Sequence, residues 1–148
     1  GLGTLDSVVH AMTTISTGGF STQADSFVGF DTGPRVIATI GMIIGGSSFF
    51  VIWWIFRGRV TPVWRSTELR LYLGLLVAGS TLLAVGGEGL SLGEAIFTTT
   101  SALSTTGFAI GDWTVLDDSV LMVLLVLIGT GSMSASAGGI VRVALLPN

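Results

Sequence analysis

Residues 95–111, AIFTTTSALSTTGFAIG, carry seven hydroxyl side chains among seventeen positions and no charge. Sliding the chain by 88 residues lays an earlier uncharged stretch, 7–24, over them. Ser16, Thr17, Gly19 and Phe20 then fall on the identical Ser104, Thr105, Gly107 and Phe108. Carbonyls of such a turn can replace the hydration shell of a small cation. Glycine there permits the positive φ that turns successive carbonyls toward one axis. The chemistry on offer is ion coordination, not bond making. There is no cysteine and a single histidine, His10. No thiolate or histidine-cluster metal centre, nucleophile–base pair or phosphate loop can be assembled, which argues against an enzyme and implies no cofactor.

The repeat extends beyond the motif. Thr13, Ile15 and Asp6 meet Ser101, Leu103 and Glu94 upstream, and Ile40, Gly41 and Ser48 meet Ile128, Gly129 and Ser136 downstream without a gap. The unit is a loop helix, S-T-x-G-F, then a long apolar helix. Ser91 and Glu94 form an S-x-x-E capping box, which predicts a helix from about 92 to 104. Its C-terminus carries a partial charge of about −0.5, favourable to a cation if it faces a watery cavity. A single S-T-x-G-F also fits an ordinary turn; two copies, each before a long apolar run, favour a filter.

The elements that must position these loops are written in the composition. The chain is 49% hydrophobic and only 10% charged, with a mean hydropathy of +0.83 and a net charge of −3, against about 25% charged residues in soluble domains. That excludes most soluble enzymes and the basic face of a nucleic-acid binder. Charge-free runs of 21, 17 and 23 residues lie at 36–56, 71–87 and 119–141, close to the roughly 20 residues that cross a bilayer. The two hydroxyl-rich stretches are too polar to face lipid and read as re-entrant loops surrounded by protein. Arg57, Arg59, Arg65 and Arg70 lie between the first and second runs and Arg142 follows the third, with Arg35 the exception. These ends are therefore expected on the cytoplasmic side. The acidic residues Asp25, Asp31, Glu88, Glu94, Asp112, Asp117 and Asp118 fall opposite, and Trp53, Trp54, Trp64 and Trp113 stand near segment ends as interfacial anchors.

The expected fold is an all-α membrane protein of repeated helix–re-entrant pore loop–helix units. Residues 1–70 form a partial repeat, with a pore loop at 4–24, a span at 36–56 interrupted by GGSS, and a cytoplasmic connection at 57–70. Residues 71–148 form a complete one, with spans at 71–87 and 119–141 around a pore loop at 91–111. The first unit begins at its loop helix on Gly1, so a further span is expected before residue 1.

The STGGF and STTGF loops, in this order with the helices around them, resemble the Trk/Ktr/HKT superfamily of potassium transporters. AMTTISTGGFST is similar to the third-repeat loop of that family and TTTSALSTTGFAI to the fourth; RVIATIGMIIGGSSFFVIWWIFRGR resembles the third repeat's second span and WRSTELRLYL the entry to the fourth. The resemblance covers essentially the whole chain. It implies a pseudo-fourfold pore of which about half is present, completed by missing repeats or further copies, in a multi-pass protein of the plasma or inner membrane. It implies filter strands at Thr17, Gly18, Gly19 and Phe20 and at Thr105, Thr106, Gly107 and Phe108, and an intramembrane gating loop at Gly45, Gly46, Ser47 and Ser48. The ion would be K⁺, with Na⁺ the alternative. A homodimer and a cytoplasmic nucleotide-binding regulatory subunit are also implied, without nucleic acid.

Several residues keep two readings. GGSS either gates or packs helices closely. Val141 stands where family members generally have lysine, and Arg142, one residue on, is either a barrier in the pore or an interfacial anchor. His10 reads as a structural histidine behind the filter in preference to a proton sensor. Two rival functions remain: an ion-coupled carrier with broken helices, against which both loops enter from one side, and a non-transporting membrane scaffold.

Overall fold

The computed structural model describes residues 3–23, 26–47, 56–58, 67–86, 90–111 and 117–135. Five helices lie within them: α1 (Thr4–Ile15), α2 (Thr32–Gly45), α3 (Thr67–Gly86), α4 (Leu92–Leu103) and α5 (Asp118–Ala135). No strand occurs among the described residues. The helix starts follow local chemistry. Ser91 accepts from the Glu94 N–H while the Glu94 carboxylate accepts from the Ser91 N–H, completing the capping box the sequence calls for.

α4 is the hub, packed against α2, α3 and α5, while α1 packs on α2. That explains how a hydroxyl-rich helix survives in an apolar chain: Phe97, Thr98, Thr99, Thr100, Ser101, Ala102, Leu103 and Ser104 are all buried. Two apolar clusters flank α4. Tyr72, Leu83, Val120, Leu124 and Leu127 close over Ala95, Ala102 and Leu103 on the α3–α5 side. Phe27, Ala38, Met42, Phe108 and Ile110 gather around Phe97 on the α2 side. Glycines set the spacing. A Cβ on Gly79 would come within 2.8 Å of Thr99 and 2.9 Å of Leu127, and one on Gly131 would overlap the Leu103 carbonyl oxygen.

The outer faces are apolar, with Ile37, Val77, Leu82, Val85, Leu125 and Val126 among the exposed side chains. Among the described residues one stretch, Leu69–Gly86 of α3, is long and apolar enough to cross a membrane; Thr32–Gly45 and Asp118–Gly131 are apolar but shorter. Within the first expected span α2 runs to Gly45, after which Gly46 and Ser47 leave the helix. Two adjacent glycines, each about 1 kcal/mol poorer than alanine in a helix, supply the reason. Residues 48–55 of that run, and the end of the third beyond 135, lie outside the described residues.

Candidate ion-coordinating site

α1 and α4 end in the same way. Ser16 and Ser104 are right-handed C-caps, and the next residues, Thr17 and Thr105, take φ of +52° and +57°. Three backbone bonds recur in register. The Ser16, Thr17 and Gly18 N–H groups donate to the carbonyls of Met12, Thr14 and Thr13, and those of Ser104, Thr105 and Thr106 to Thr100, Ala102 and Ser101. This is the Schellman arrangement, in which the residue after the cap is left-handed and usually glycine. Threonine there is strained, since the left-handed region costs an L-residue about 1–2 kcal/mol and suits β-branched side chains least. Two residues on, Gly19 and Gly107 again have positive φ, +68° and +83°. Both loops thus leave their helices along one path, with left-handed residues at alternate positions.

The loops touch each other. A Cβ on Gly19 would overlap the Thr106 carbonyl oxygen and lie 3.7 Å from the Gly107 Cα. The start of GGSS sits against both helix ends: a Cβ on Gly45 would be 2.7 Å from the Ile15 carbonyl oxygen, and one on Gly46 would be 2.9 Å from the Ser104 Cβ. The structure therefore brings the two expected filter loops into contact at Gly19 against Thr106 and Gly107, and places Gly45 and Gly46 beside the helix ends from which the loops spring. Ser48 and Arg142 lie outside the described residues.

Hydroxyls hold the second loop from behind. Ser101 Oγ donates to the Phe108 carbonyl at 2.8 Å, and Ser104 Oγ lies 2.7 Å from Thr106 Oγ1. The two threonine hydroxyls before Ser101 do not reach the loop in this way. Thr100 bonds back to the Ile96 carbonyl one turn earlier, a local partner always within reach in a helix. Buried Thr99 Oγ1 has no hydrogen-bond partner among the described residues.

The remaining anchors were not visible in the sequence. The Phe27 N–H donates to the Ala109 carbonyl at 2.9 Å and Ser26 Oγ accepts from the Ala109 N–H at 3.2 Å, so the segment after the first loop clips the chain that leaves the second. No periodicity or motif marks Ser26 and Phe27; only their left-handed and buried settings do.

Charge gathers where α2 and α4 begin. Arg35 Nη1 lies 3.7 Å from Glu94 Oε1, and Nη2 donates to the Val28 carbonyl at 2.9 Å. Arg35, the exception to the expected arginine pattern, is thus held by Glu94 and the Val28 carbonyl. The Ser91 backbone N–H and then the Ser91 hydroxyl hold the Glu94 carboxyl below the usual carboxylate range, with Arg35 adding to them against the opposing effect of burial. No cluster of three or more metal-ligating His, Cys, Asp or Glu side chains occurs among the described residues.

Residues 2–70 match the family described as TrkH, cation transport protein. The Trk system potassium uptake protein TrkH of Escherichia coli K12 is 30% identical over 162 residues, covering 99% of this chain and 33% of that protein. The Salmonella typhimurium TrkH is 32% identical with the same coverage. The Trk system potassium uptake protein TrkI of Halomonas elongata is 28% identical over 148 residues, covering 94% of this chain and 30% of that protein. No solved structure matches. The chain spans about a third of the length of the curated relatives it matches, and these are transporters, not enzymes.

Proposed function

The chain carries Trk-family sequence, and from that premise we propose that it forms part of a potassium uptake pore. K⁺ sheds water against backbone carbonyls of the two loops, Thr17–Phe20 and Thr105–Phe108 in sequence, while Gly45, Gly46, Ser47 and Ser48 form the gate beneath them. One observation carries this reading: two loops 88 residues apart share alternating left-handed residues and the same three helix-closing bonds. Left-handed residues at alternate positions rotate successive peptide planes and so can turn neighbouring carbonyls toward one axis, where they replace the hydration shell of a cation. Holding threonine in this conformation costs energy that a mere turn would avoid by using glycine.

The dipoles of α1 and α4 favour a cation near their C-termini. Two loops cannot encircle an ion in the pseudo-fourfold arrangement, so the working pore takes further repeats or copies, in a multi-pass protein of the cell membrane. A homodimer and a cytoplasmic regulatory subunit belong to the same proposal, and Arg142 serves there as pore barrier or interfacial anchor. The transported ion is the only non-protein species required, K⁺ before Na⁺.

The test is Rb⁺ uptake at low external K⁺ in cells stripped of their own potassium uptake, expressing the full native polypeptide with and without Gly107→Ser. Uptake by the wild type with weakened K⁺ preference in the variant supports the filter. Verified membrane insertion without uptake overturns it in favour of a carrier or scaffold.

A further inference from the structure

His10 is buried, 6% exposed, in the turn of α1 that faces the aromatic cluster. Its Nδ1 lies 2.7 Å from the Asp6 carbonyl oxygen, which can only accept, so this nitrogen carries the hydrogen. The Nε2 of the neutral ring then accepts from the Ser21 hydroxyl at 3.0 Å. Ser21 Oγ in turn accepts from the Gln23 N–H at 3.1 Å, so both atoms of the Ser21 hydroxyl are used. Around the ring, Phe27 and Phe30 stand edge-on with centroids at 5.1 and 5.2 Å, and Phe108 lies at 6.1 Å.

Ser21 and Ala109 are equivalent positions, each directly after the phenylalanine of its loop. The first is held by the His10 side chain, the second by Ser26 and the Phe27 N–H. Phe27 touches both His10 and Phe108, the latter at a centroid distance of 4.8 Å. One imidazole thus stands behind the outer end of the first loop directly and behind that of the second through one phenyl ring. α4 offers Thr98 at the equivalent position, so the device occurs once for two loops.

We propose that His10 is a positioning residue for both loops, fixing the outer ends of the carbonyl strands through Ser21 and through Phe27 and so setting how well they discriminate K⁺ from Na⁺. This rests on the filter reading above. Discrimination needs carbonyls that do not relax around the smaller ion, and a strand anchored just beyond its last carbonyl resists that relaxation.

The experiment measures Rb⁺ uptake and its inhibition by Na⁺, normalised to protein in the membrane, for the full native polypeptide and its Ser21→Ala, His10→Phe and His10→Gln variants. Losing one such bond is expected to lower the Rb⁺-over-Na⁺ preference about fivefold. His10→Phe keeps the ring stack and loses the bond, so combining it with Ser21→Ala adds nothing. His10→Gln, which can still reach Ser21, restores part of the preference. Ser21→Ala removes one partly buried hydroxyl and carries the test if the His10 variants do not reach the membrane. Unchanged preference in Ser21→Ala, or independent additive effects, overturns the positioning role while a Gly107→Ser effect leaves the filter standing. A wild type without Rb⁺ uptake removes the filter reading, and the positioning role with it.

Discussion

Phe20 and Phe108 close the same five-residue motif on the same backbone, yet Phe20 is 74% exposed and Phe108 is 0%. Phe108 is met by Phe27 from the segment that follows the first loop, whereas Phe20 stands out from its neighbours. The glycines contrast in the opposite sense. Gly19 is pressed against the Thr106 carbonyl, while a Cβ on Gly107 would meet nothing within 4 Å. Outer anchoring differs too: the first strand is tied to its own helix through His10–Ser21 and Asp6–Thr22, the second to the chain of the preceding repeat at Ala109. The shared motif dictates φ and ψ because those depend on nearest neighbours along the chain. Burial and clearance depend on what the other repeat brings.

The widest gap between the loops should come from Phe108→Ala. It empties a fully buried aromatic site and is expected to cost about 3–5 kcal/mol. Phe20→Ala should shift stability by less than about 0.5 kcal/mol. Thermal unfolding of the full native polypeptide in detergent measures both, and equal losses would break the contrast.

Next is Gly19→Ala against Gly107→Ala. Both pay about 1–2 kcal/mol for a side chain at positive φ, and the first adds overpacking of about 1–3 kcal/mol against the Thr106 carbonyl. Gly19→Ala should therefore yield less folded protein, and Gly107→Ala should fold with altered ion preference. Membrane abundance and Rb⁺ uptake per molecule separate the two.

The smallest difference lies at the helix starts. α4 has the Ser91–Glu94 capping box, whereas the α1 cap is Gly3 with no side-chain bond. Ser91→Ala should cost about 1 kcal/mol, and Gly3→Ser should gain a few tenths. Because Glu94 is held below its unfolded range, its contribution is present at neutral pH and is lost as pH falls below the ordinary carboxylate range. An acid titration of thermal stability should therefore flatten in Ser91→Ala.

Much of the architecture was legible in the residues. The all-helical class, the loop helix beginning at Leu92 and the end of α2 at the glycine pair follow from composition, a capping box and helix propensity, all local causes. The left-handed glycines at 19 and 107 were equally readable. The left-handed threonines beside them were not, because propensity argues against threonine there and only the closing bonds of the helix end hold it. Gly79 looked like any glycine in an apolar run until its clearance placed it against α4. Nothing in the sequence set Glu94 and Val28 beside Arg35; only the fold does.

By itself the sequence determined a helical, apolar chain with two copies of one S-T-x-G-F turn, because hydropathy, capping and backbone preference act over a few residues. Only the tertiary structure decided which copy is buried, which glycine has room, and that Phe27 links His10 to Phe108 of the other loop. Those are contacts between residues far apart in the chain, and no local preference encodes them.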